Sequence, residues 1–88
     1  MKTQQDYQFI TSKAGRDKGT LYVLKEQVDE YVYLVNGTTR TLSCPKKKNQ
    51  KHIQPIHTVD DEIKQKLQRG EEIIDKDIKE AVIRFRRK

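Results

Sequence analysis

The sequence predicts a mainly β fold: a small β-barrel over residues 1–57, followed by a C-terminal helical hairpin over residues 58–88. Three observations predict it. Short runs of aromatic and β-branched residues recur at close spacing in the first two-thirds of the chain, separated by Gly, Asn and Pro. From Thr58 onward the apolar period becomes helical. The charge balance shifts at the same place: residues 1–57 carry ten Lys/Arg against five Asp/Glu, and residues 58–88 carry nine against eight.

The first strand is expected at "YQFIT", residues 7–11, and the loop Lys13 to Gly19 follows it. "TLYVLKEQV" supplies a second strand, and "VDE" turns the chain. "YVYLV", residues 31–35, is five consecutive β-formers, closed by Asn36-Gly37, the dipeptide suited to a two-residue hairpin turn. With that turn "TTRTL" returns antiparallel, and Val35 faces Thr38, Leu34 faces Thr39, Tyr33 faces Arg40 and Tyr31 faces Leu42. Val32 and Leu34 then point to the core, while Tyr33 and Arg40 point to the surface. "KKKNQK" is too charged for a buried element, and "HIQPI" makes a short closing strand that Pro55 confines to an edge or end.

In the remainder, Thr58 precedes Asp61 by three and opens a helix. Val59, Ile63 and Leu67 fall on one side of it, and Gly70 offers a C-cap. A second helix begins near Asp75, with Ile78, Ala81, Val82 and Phe85 on one face. Acidic residues crowd its start and basic ones its end, as the helix dipole favours.

Eighty-eight residues, of which 33% are apolar and none is Trp, build one thin core and no large ligand cavity. No stretch approaches the ~18 apolar residues that cross a bilayer. "MKTQQDYQF" lacks the hydrophobic stretch of a secretory signal, and Cys44 is the single cysteine. A cytoplasmic protein with no membrane association is therefore expected. The net charge of +6 favours polyanionic partners.

"SKAGRDKGTLYV", residues 12–23, raises the question of a phosphate loop. Its spacing is G-x-x-x-G followed by Thr, not the G-x-x-x-x-G-K-S/T that wraps a nucleotide. It also precedes a strand rather than a helix, so a nucleotide loop is excluded. Gly15 and Gly19 shape the turn, and Lys13, Arg16 and Lys18 project from it toward a phosphate backbone. Asp17 caps the loop through its backbone or orients Arg16. Residues 40–57 hold Arg40, Lys46, Lys47, Lys48 and Lys51 with no acidic residue, beside His52 and His57. Such one-sided charge is the footprint of phosphate neutralisation.

Among the aromatics, Phe9 and Tyr22 belong to the core, and Tyr33 is the candidate for stacking a base. Cys44, His52 and His57 do not match zinc-ligand spacing, so no metal or other cofactor is expected. No Ser/His/Asp set can be assembled, and neither an enzyme nor a small-molecule substrate is expected.

"SKAGRDKG", "TLYVL" and "VYLVNG", followed by "PKKKNQKH", resemble the KOW-motif RNA-binding proteins over about residues 7–57. The resemblance is to small bacterial proteins similar to the large-subunit ribosomal KOW proteins of archaea and eukaryotes. Gly19 matches the motif's key glycine, Lys13, Arg16, Asp17 and Lys18 its loop, and Asn36-Gly37 its hairpin turn. Tyr22 stands where many KOW domains have a second glycine, and the helical tail extends beyond the motif. The resemblance implies an SH3-like barrel that binds RNA, ribosomal RNA or the ribosome above all. The alternative function is an SH3-like interaction module that docks on a ribosomal or transcription protein.

Overall fold

The computed structural model describes residues 3–4 and 7–87, and the expected domain limits at residues 1 and 88 lie outside them. Among these residues, six strands and two helices follow in order: β1 (Thr3–Gln4), β2 (Gln8–Ser12), β3 (Leu21–Val28), β4 (Tyr31–Val35), β5 (Lys46–Asn49), β6 (Ile53–Val59), α1 (Asp61–Gln68) and α2 (Asp75–Arg86). A 3-10 turn, Gln50–His52, joins β5 to β6. The sheet is antiparallel with strand order β5-β4-β3-β2-β6, and β1 pairs with the far end of β3. β6 is a terminal strand of that order, which is where Pro55 was expected to confine it. No helix is long and apolar enough to cross a membrane among the described residues.

The alternation of β2, β3 and β4 buries both faces of the sheet. One face gathers Ile10, Tyr22, Leu24, Val32, Leu34 and Ile53. The other gathers Phe9, Leu21, Val23 and Val35 with Ile63, Ile73, Ile78, Ala81 and Val82 from the helical segment. Val32 and Leu34 are buried as their strand pattern requires, and so are Phe9 and Tyr22. The expected division after residue 57 runs through β6, and the helices complete one of the two clusters. The helical segment thus contributes five of the nine buried residues of that cluster.

Both helices lie close to their expected places. Asp60, not Thr58, is the N-cap of α1: its carboxylate accepts from the Glu62 and Ile63 amides. Arg84 of α2 donates to both Asp60 oxygens at 2.9 and 2.7 Å, so the cap of one helix is clamped by the other. Gly70, just past α1, adopts φ +73°. Ile63 is buried, whereas Leu67 remains 40% exposed.

The segment after β4 differs from its expected course. Residues 38–42 form no strand, and the partner of β4 is the lysine tract: Leu34 faces Lys46, Tyr33 faces Lys47, Val32 faces Lys48 and Tyr31 faces Asn49. The Asn36 side chain is the reason. Its oxygen accepts from the amides of Thr38 and Arg40, so the chain curls into a wide loop instead of a two-residue turn. Gly37 has φ +83°, and a Cβ there would lie 2.5 Å from the Lys79 amide nitrogen and 2.6 Å from the Asp75 carbonyl oxygen. The loop therefore rests on the backbone of α2. The Leu42 amide donates to Asp75 Oδ1 at 2.8 Å and strengthens that seat.

The lysine tract forms a strand despite its charge because it lies at the sheet edge. Lys47 emerges into water there, Lys46 and Lys48 meet the Asp17 carboxylate, and charge along the edge discourages a further strand from pairing.

Candidate nucleic-acid interface

The loop Lys13–Gly19 joins β2 to β3 and is closed by two overlapping turns. The Lys18 amide donates to the Gly15 carbonyl at 3.3 Å and the Thr20 amide to the Asp17 carbonyl at 2.9 Å. Gly15 and Gly19 have φ +85° and +88°, values that an L side chain adopts only with strain. At the loop's base, the Lys13 amide donates to the His52 carbonyl at 2.9 Å, fastening the loop to the 3-10 turn.

A second fastening comes from Asp17. Its carboxylate receives the Lys48 ammonium at 2.8 Å, the Ser12 hydroxyl at 2.8 Å and the Tyr22 hydroxyl at 2.9 Å. The Lys46 ammonium lies 3.7 Å away, and Lys48 also donates to the Ala14 carbonyl at 2.8 Å. The register explains this. Lys46 and Lys48 face Leu34 and Val32, so they point to the same side of the sheet as that buried pair. Lys48, with 11% of its side chain exposed, shares that face of the sheet and reaches the loop. The Asp17 carboxylate thus binds the loop to β5, while its backbone carbonyl closes the turn by accepting from the Thr20 amide.

These two fastenings place the loop, β5 and the 3-10 turn beside one another. Lys13, Arg16, Lys18, Lys51 and His52 are exposed there, and the four Lys/Arg side chains have no ion pair among the described residues. Lys46 is half-buried and Lys48 nearly enclosed, so the tract does not act as one run of free cations. Lys47 projects to the opposite side of the sheet, 4.3 Å above the Tyr31 ring. Arg40 is half-buried in the loop after β4, and its charge acts on the Tyr22 hydroxyl. Tyr33 is half-buried against Lys47 rather than beside Arg40, and Tyr31 is the more exposed ring at 37%. Ser12 and the Tyr22 hydroxyl were not singled out by the sequence. The hint is a serine, an aspartate and a tyrosine spaced five apart around a tight loop.

The electrostatics follow from these contacts. Burial pushes the Asp17 carboxyl up, but the hydrogen bonds from Lys48, Ser12 and Tyr22 outweigh it and hold the group well below the usual carboxylate range. Burial, with the hydrogen bond and charge of Asp17, pushes the Tyr22 hydroxyl up to about 12, against the pull of Arg40. Asp60 and Asp77 are also lowered: burial opposes, while Arg84 holds Asp60, and the Ile74 amide and Lys66 hold Asp77.

A lowered carboxyl stabilises the fold at any pH above its unfolded value, near 3.9, and the contribution fades as pH falls through the folded value. Denaturant unfolding midpoints are therefore expected to be level near neutrality and to drop below about pH 4. Asp17→Asn is expected to lower the neutral midpoint and flatten the acid limb. An acid limb unchanged by that substitution would remove Asp17 from the account.

No family model and no curated protein matches the chain.

Proposed function

We propose that this chain is an RNA-binding module of the KOW type, and that its sheet is an SH3-like barrel. The Lys48–Asp17 contact supports the barrel reading, because it spans from an edge strand to the β2–β3 loop, as a strongly curled sheet allows. The 3-10 turn linking the two ends of the strand order supports it as well.

The observation that carries the functional reading is the exposed set of Lys13, Arg16, Lys18 and Lys51, without an ion pair among the described residues and brought together by the Asp17 clasp and the Lys13–His52 bond. The only carboxylate within the loop is already engaged by Lys48, so it does not cancel the outward charge. Such a surface suits phosphates of structured RNA, ribosomal RNA first among them, read by backbone and shape rather than by sequence. The module works without chemistry on its ligand, and its compartment in this reading is the cytoplasm.

Binding to a ribosomal RNA hairpin is expected to weaken linearly on a log–log plot against salt. Each phosphate engaged contributes a slope of about −0.7 to −0.9. Affinity that does not respond to salt would contradict phosphate contact. Exposed Leu67, Ile74 and Ile83 favour a second reading, docking of the helices on a ribosomal or transcription protein. Salt-insensitive capture of such a partner, abolished by Ile83→Asp, would select it.

A further inference from the structure

The β2–β3 loop offers more than side-chain charge. The backbone N–H groups of Ala14, Gly15, Arg16 and Asp17 have no hydrogen-bond partner among the described residues, whereas those of Lys13, Lys18, Gly19 and Thr20 are all bonded. Four successive free donors in a tight turn, with a glycine at φ +85°, are the ingredients of a backbone anion nest. Gly15 and Arg16 are exposed, so water or a ligand can reach the middle of the run.

Charge around the turn agrees. Lys13, Arg16 and Lys18 flank it and are exposed. The Asp17 carboxylate, which would repel an anion, is turned to the Lys48 side of the loop. A Cβ at Gly15 would lie 3.5 Å from Lys48 Nζ and 3.8 Å from Asp17 Oδ1, so the clasp occupies that side.

We infer that the amides of Gly15, Arg16 and Asp17 form a phosphate-oxygen site, in which Arg16 and Lys18 neutralise charge and the N–H groups fix position. The Asp17 clasp holds the turn in shape before the anion arrives, so little ordering is needed on binding. The ligand chemistry is a phosphate group, whether an internal phosphodiester of RNA or free phosphate. Naming RNA as its natural source rests on the proposed function; the amide site does not. This differs from a nucleotide loop, since no helix follows and only a turn's amides take part.

The test is an amide-resolved NMR titration of the full chain, with inorganic phosphate in one arm and a ribosomal RNA hairpin in the other. The expected result is a saturable downfield shift confined to the amides of Gly15, Arg16 and Asp17 in both arms, reached at lower concentration with RNA. Arg16→Ala with Lys18→Ala is expected to weaken both titrations severalfold and leave the same amides responding. Loss of the amide response in that variant would place the anion on the side chains and overturn the inference. RNA binding with these amides unmoved would also overturn it and leave RNA recognition intact. A phosphate response without RNA binding would keep the nest and refute the RNA reading.

Discussion

Gly37→Ala is expected to cost about 3–4 kcal/mol, from a left-handed backbone combined with steric overlap. The overlap is with main chain: the added Cβ would sit 2.5 Å from Lys79 N, 2.6 Å from Asp75 O and 2.8 Å from Lys79 Cα. None of these can rotate away, so α2 must lift from the loop after β4. Lifting it disturbs Leu42 N–Asp75 and the cluster that α2 shares with Val23 and Val35. Gly19→Ala is the matched control. Gly19 has φ +88° but nothing within 4 Å of the added carbon. It is expected to lose only about 1–2 kcal/mol of strain energy. Denaturant unfolding of the two variants separates the effects, and equal losses would mean that the loop does not bear on α2.

That contrast shows how far the sequence could be read. β2, β3, β4 and both helices were legible because their apolar periods are local properties of the chain. Asn36-Gly37 was legible as a turn but not as the right one. Hairpin statistics concern neighbouring strands, whereas Gly37 answers to a helix some forty residues away. β5 was hidden because lysines carry little strand signal, and it is pairing with β4 that makes the segment extended. The basic site was legible as composition. Which lysine is free and which is enclosed depends on register: Lys47 and Lys48 are adjacent in sequence and emerge on opposite sides of the sheet.

Lys48→Met is expected to destabilise the protein by about 2 kcal/mol, because it leaves a shielded carboxylate without its closest cation. Methionine keeps an apolar stem of similar length, so the loss reports the charge. Ser12 and Tyr22 still donate to Asp17, and Lys46 at 3.7 Å is a distant substitute, which limits the effect. Lys51→Met, on the exposed 3-10 turn, is expected to change stability by no more than ~0.5 kcal/mol and to weaken RNA binding directly. A Lys48→Met protein as stable as the parent would show that the clasp does not hold the loop. Combining it with Asp17→Asn is expected to cost less than the sum of the two, since either change alone breaks the same contact.

The central claim is that RNA is held by the cations of the clasped loop and not by net charge alone. It is tested most directly by comparing two triple variants with the same charge change. Lys13→Ala, Arg16→Ala and Lys18→Ala together remove the loop's exposed cations. Lys64→Ala, Lys79→Ala and Arg86→Ala together remove three exposed cations from the helices, which cover the other face of the sheet. With a ribosomal RNA hairpin at fixed salt, the loop variant is predicted to lose most of its affinity and to flatten its salt slope by about 2–3 units. The helix variant is predicted to bind close to the parent. Equal losses in the two variants would contradict the claim.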